Sequence, residues 1–168
     1  EIATGTLRWP GAFDHVITAV SSRSLARLDP EILDILRLTM FQVMHLDRVP
    51  VSAAVKDAVD LAGRAGKRSA AGLVNAILRR VARERDHLPL PARPADPADR
   101  DAAVAYLSIT LSHPAWLVSR WLDRHGFEAA EAWARFNNGP APLTLRANTL
   151  RITPHDLAAR LAQDGIVC

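Results

Sequence analysis

Asp29-Pro-Glu-Ile-Leu-Asp-Ile-Leu-Arg-Leu-Thr-Met-Phe-Gln-Val-Met-His-Leu46 decides the fold class. Leu33, Leu36, Met40, Val43 and Met44 recur at helical spacing, with Ile32, Ile35 and Phe41 beside them. So broad an apolar arc predicts a central, mostly buried helix rather than one lying on a surface. Its start is signalled three ways. Asp29 can cap, Pro30 suits the first turn, and Glu31 sits where the helix dipole favours an acid.

The pattern continues on both sides. Phe13, Val16, Ile17 and Val20 mark one face of a helix over 11–22. Val49-Pro50 breaks the chain, and Ser52 opens a helix with Val55, Ala58, Val59 and Ala62 on one side and Lys56, Asp57 and Asp60 on the other. Gly63 and Gly66 end it. Ser69 is expected to cap the next, whose buried face is Ala70, Leu73, Val74, Ile77, Leu78 and Val81; Asn75, Arg79, Arg80, Arg83 and Arg85 lie opposite. Pro89, Pro91, Pro94 and Pro97 make 87–98 the best linker candidate. A short helix near 99–108 follows. Then comes a pair that begins at Ser112-His113-Pro114, breaks at Gly126 and ends at Asn138-Gly139-Pro140, with Trp116, Trp121 and Trp133 read as core.

At Leu143 the period changes. Leu143-Thr-Leu-Arg-Ala-Asn-Thr149 alternates apolar and polar, the pattern of a half-buried strand. Thr153-Pro154 opens a helix, Gly165 closes it, and Ile166-Val167 reads as a second strand start, giving β-α-β. Beginning at Glu1 in mid-pattern and stopping inside that strand, the sequence reads as a piece of something longer.

Composition excludes several classes. Of 168 residues 49% are apolar but only 5% aromatic, which favours helices over a sandwich or barrel. The single cysteine, Cys168, rules out a disulfide framework and a cysteine-based metal site, and fits a reduced, cytoplasmic setting. Cys168 has no base or cation at helical spacing to make it a nucleophile. The histidines are not at metal-ligand spacing. No apolar run approaches the ~18–20 residues of a membrane span. No phosphate loop, nucleotide-binding glycine fingerprint or paired-carboxylate motif stands out, so no catalytic, cofactor-binding or metal residue is assigned.

Charge is the positive signal. The formal net charge is +3, yet between Arg64 and Arg85 seven cations (Arg64, Lys67, Arg68, Arg79, Arg80, Arg83 and Arg85) face one acid, Glu84, a local charge of +6. Outward-facing cations on a helix and just before its N-terminus attract phosphates without regard to sequence; the plainer reading is a solvated face. Thr144, Arg146 and Asn148 would share one strand face, with Arg151 close behind, and Arg and Asn suit phosphates and base edges; an ordinary exposed strand is the alternative. Asn75 reads best as a satisfied amide that fixes a loop.

Leu28-Asp-Pro-Glu-Ile-Leu-Asp-Ile-Leu-Arg37, Val51-Ser-Ala-Ala-Val-Lys-Asp-Ala-Val59 and Gly72-Leu-Val-Asn-Ala-Ile-Leu-Arg-Arg80 resemble the NusB domain, an all-helical RNA-binding fold. Glu1 to Arg8 resembles that family's earlier Gly-x-x-Arg segment, which implies a first helix or helices upstream. Ser112-His-Pro-Ala-Trp-Leu-Val-Ser-Arg-Trp121 and Leu143-Thr-Leu-Arg-Ala-Asn-Thr-Leu-Arg151 resemble the Sun (Fmu) family of ribosomal RNA cytosine-C5 methyltransferases. The fold this implies is mainly α: a NusB-like RNA-binding bundle over 1–86, the proline linker 87–98, a helical connector 99–139 and, from 140, the start of a small α+β RNA-recognition region.

The resemblance implies the RNA-targeting portion of a methyltransferase acting on 16S-type ribosomal RNA. Its S-adenosylmethionine and catalytic cysteine would belong to a further domain, itself a possible partner, and no cofactor is expected here. Lys67, Arg68, Arg79, Arg80, Arg83, Arg146, Asn148 and Arg151 are the expected RNA contacts. A NusB-like antitermination factor is the alternative, although such a protein would end near residue 85. A protein-interaction module with an incidental basic face is a third reading.

Overall fold

The computed structural model describes residues 1–141 and 144–166. It contains helices α1 (Ile2–Thr6), α2 (Pro10–Ser21), α3 (Pro30–His45), α4 (Val51–Arg64), α5 (Ala71–Arg83), α6 (Arg100–Ala105), α7 (Ala115–Asn138) and α8 (Pro154–Gln163), and a π-helical turn over Tyr106–Thr110. Among the described residues there is no strand. Two compact units divide the chain, Glu1–Asn138 and Gly139–Cys168.

In the first unit, α3 is the axis of the core, as its sequence predicts. Ile32, Leu36 and Met40 are at most 1% exposed, and they pack with Phe13, Val16 and Ile17 of α2, Val55 and Ala58 of α4, and Val74, Ile77, Leu78 and Val81 of α5. A second cluster joins Ala103, Tyr106, Leu107 and Leu111 to Val118, Phe127, Ala130 and Ala134 of α7. Trp9 packs against both clusters.

A remote cap ties them further. No local side chain caps α2; instead the Ala12 N–H donates to Ser112 Oγ at 2.9 Å, across 100 residues of sequence. Beside it a Cβ on Gly11 would stand 2.7 Å from the Ser108 carbonyl oxygen, so α2 seats on this backbone only because residue 11 lacks a side chain.

The proline-rich segment is held rather than free. Leu88 and Leu90 pack on the first core, Pro94 is buried, and the Pro91 carbonyl accepts from Thr110 Oγ1 at 2.6 Å. Arg93 donates to Glu131 and Glu128, each at 2.9 Å, and lies over the Phe127 ring. Glu131, 6% exposed, also accepts from Tyr106 Oη and Arg135, and these donors hold its carboxyl below the usual glutamate range despite the opposing effect of burial.

Two expected caps are replaced. Asp29 makes no cap bond to α3, because its carboxylate accepts from Lys67. Ser69 lies inside a 3-10 turn, Arg68–Ala70, that precedes α5, so it cannot occupy the cap position.

In the second unit, Thr153 caps α8 by accepting from the Asp156 N–H, with Pro154 in the first turn, as expected. The strand expected at 143–149 is not formed over the described residues 144–149; Leu143 lies outside them, as does Val167 of the second expected strand. A strand needs a neighbour to satisfy its backbone, and no extended segment pairs with this one among the described residues. The Asn148 carbonyl instead accepts from the N–H groups of Arg151 and Ile152, and its Oδ1 accepts from the Leu150 N–H, forming a turn into α8.

Candidate nucleic-acid interface

Helices α4 and α5 pack side by side through Val55, Ala58, Ala62, Val74 and Ile77, and their outer edges leave a groove. Three adjoining concavities of about 400, 500 and 400 Å³ share lining residues and run along it. Its apolar floor is Val55 and Val59. Arg64 and Arg68 stand at one end, Lys56 and Arg79 in the middle and Arg83 at the other end. Asp60 is the one acid among these lining residues.

Helix geometry places these cations. Arg79 and Arg83, four residues apart, share a face of α5 whose opposite side is buried. Lys56 projects from α4 across from them. At the start of α5, Ala71 and Gly72 line the groove, with no side-chain cap and no acid in the first turn, so the positive end of the dipole is uncompensated there. Arg79 is steadied by donating to Asn75 Oδ1 at 2.9 Å. Asn75, expected to fix a loop, instead accepts from Arg79 within α5 through Oδ1, and it also lines the groove. Among the described residues no ion pair holds Lys56, Arg64, Arg68 or Arg79; Arg83 lies 3.5 Å from Glu84. Such a row can bind closely spaced phosphates, its cations replacing counterions.

The groove gathers Arg68, Arg79 and Arg83 from the expected contacts, and leaves Lys67 and Arg80 outside. Lys67 Nζ is 2.9 Å from Asp29 and 3.8 Å from Glu31, and the hydrogen bond to Asp29 foremost pushes its pKa up. Arg80 turns the other way, to Glu84 and to the Val20 carbonyl at the end of α2. Sequence reasoning passed over Lys56 as a groove residue, since it becomes one only when α4 meets α5. In the second unit Arg146 and Arg151 are exposed, and Asn148 Oδ1 is engaged in its turn. They share no strand face.

The three tryptophans read as core diverge. Trp121 is half-buried, but Trp116 and Trp133 are 68% and 59% exposed, with Phe136 at 75%. For Trp133 the cause is Gly126, whose φ of 75° and ψ of 176° break α7 in the middle. The second half buries Phe127, Ala130, Glu131 and Ala134, which turns Trp133 outward.

Among the described residues there is no His/Cys/Asp/Glu group able to hold a metal ion, and no helix is long and apolar enough to cross a membrane.

Comparison with known proteins finds two families that match parts of the chain. Residues 1–83 match the NusB family, and residues 113–168 match the Methyltr_RsmF/B-like, ferredoxin-like domain. The probable ribosomal RNA small subunit methyltransferase B of Bacillus subtilis is 33% identical over 99% of this chain, and that of Pseudomonas putida 31% identical over 99%. This chain spans 35% of the length of each, about a third. A transcription antitermination protein NusB of Coxiella burnetii is 32% identical over 46% of the chain and 56% of its own length. No solved structure matches.

Proposed function

We propose, for a chain in which a NusB-family domain precedes a ferredoxin-like domain of the RsmF/B methyltransferase kind, that it is the RNA-targeting portion of a ribosomal RNA methyltransferase. The observation that carries this reading is the α4/α5 groove, where five cations surround one acid. The groove grips the phosphate backbone of ribosomal RNA and so fixes which part of it is presented for methylation at carbon 5 of a cytosine. Contacts of this kind position the RNA without reading its bases. Lys67 and Arg80 of the first unit are lesser contributors, and Arg146, Asn148 and Arg151 of the second unit are separate RNA contacts. The setting is the cytoplasm.

S-adenosylmethionine supplies the methyl group in such an enzyme. The described residues contain no strand running through a glycine-rich turn into a helix, and so do not fit that cofactor; none is assigned to it here. An antitermination role, suggested by the Coxiella burnetii protein, leaves 113–168 without a purpose and is the weaker reading.

The test is fluorescence anisotropy with a ribosomal RNA hairpin at several salt concentrations. Replacing Arg64, Arg68 and Arg79 together with Gln keeps helix propensity. It should lower the slope of log affinity against log salt by roughly 2–2.7, at about 0.7–0.9 per lost phosphate contact. Equal affinity and slope in a variant of unchanged circular dichroism would remove the groove from the interface.

A further inference from the structure

The break at Gly126 opens a second site. Its φ of 75° and ψ of 176° interrupt α7, and residues of both halves line a cleft of about 210 Å³. Trp121 and His125 line it from the first half, Ala129, Ala130 and Trp133 from the second. Two indoles and an imidazole thus surround a gap whose floor is only methyl groups. The volume exceeds the roughly 150 Å³ that accepts a benzene ring, which suits one planar ring system and not a packed helix.

Charge points to the occupant. The acids of α7 are all engaged by cations: Asp123 by Arg100 at 2.7 Å, Glu128 by Arg93 at 2.9 Å, and Glu131 by Arg93 and Arg135 at 2.9 Å. Arg120 and Arg124 have no ion-pair partner among the described residues and are exposed. Arg124 is three residues from Trp121 and adjoins His125, so it flanks the cleft on the helix surface. Aromatic walls beside uncompensated guanidinium groups suit a base attached to a phosphate. An apolar protein side chain would draw nothing from those cations.

We propose that this cleft takes one unstacked nucleobase of single-stranded RNA, stacked against Trp133 and Trp121 with its phosphate toward Arg124. The inference rests on the RNA-targeting reading but uses a separate surface and a different property of the RNA. The groove grips backbone in any conformation, whereas the cleft requires an unpaired base.

Affinity for a labelled single-stranded oligoribonucleotide and for a duplex of the same sequence is measured at fixed salt with the chain and three variants. Trp133→Ala removes an exposed stacking wall, and Ala129→Leu fills the gap from an exposed helical position; neither touches the buried core. Both should weaken single-strand binding roughly 5- to 150-fold, the range that one stacked base carries, and leave duplex binding within twofold. Single-strand addition should also quench tryptophan fluorescence in the parent chain, and less in either variant. The third variant, Arg64, Arg68 and Arg79 to Gln, should weaken both RNAs. Unchanged single-strand affinity in both cleft variants overturns the cleft while leaving the groove standing. Loss in the cleft variants alone, with the groove variant unaffected, overturns the groove and supports the cleft. Equal losses on single strand and duplex overturn the base-stacking role.

Discussion

Gly11→Ala tests how the two cores of the first unit are joined. The new Cβ would lie 2.7 Å from the Ser108 carbonyl oxygen, 3.2 Å from Ser112 Cα and 3.3 Å from Ser112 Oγ, where ordinary contact begins near 3.4 Å. The obstacles are mainly backbone, and that backbone is pinned. Ser112 sits at φ 57°, accepts from the Ala12 N–H, and donates to the Ile109 carbonyl at 3.2 Å. Relief therefore requires α2 to lift from the π-helical turn and weaken its remote cap. Overpacking of this kind costs about 1–3 kcal/mol, against a gain of up to ~1 kcal/mol from replacing glycine in a helix. A net loss of about 1–2 kcal/mol is expected. Gly63→Ala is the matched control: it lies in α4 with nothing within 4 Å of the added methyl, and should gain up to ~1 kcal/mol. Urea unfolding followed by circular dichroism measures both, with the slope m checked for constancy. If Gly11→Ala were as stable as Gly63→Ala, close seating of α2 on Ser108 would be refuted.

Ser112→Ala should cost about 1–2 kcal/mol in the same assay, because α2 has no local cap to replace the lost one; a neutral result would mean that Ser112 Oγ does not serve α2. Glu131→Gln should cost about 1–2 kcal/mol, less than a fully buried pair because both guanidinium partners are solvent-screened. The same carboxylate gives a pH dependence. Its folded pKa lies below the unfolded value, so its contribution is complete above about pH 4.5 and disappears as the pH falls through the lower folded value. Acid titration of stability should therefore be flatter in Glu131→Gln than in the parent chain, and parallel curves would contradict the assignment.

The helices of the first unit were legible in the sequence because each buries one continuous face, and burial leaves a 3.6-residue apolar period wherever it happens. The α3 stripe, Pro30, and Thr153-Pro154 could be read from neighbours a few residues away. Relations across the fold had no such local trace. Nothing near Lys56 says that it will face Arg79, nothing near Asp29 says that Lys67 will claim its carboxylate, and Ser112 caps a helix one hundred residues away. The tryptophans show the same limit: Trp133 reads as core until the turn at Gly126 decides which side of the second half-helix is buried. Alternation over 144–149 marks residues that suit a strand, but a strand exists only with a partner, which is a tertiary fact. Composition and periodicity thus determined a helical, basic chain by itself, because they record which residues avoid water. Which cations gather, and which rings remain open to a ligand, only the packing of one helix on another decided, because those are distances between residues far apart in the chain.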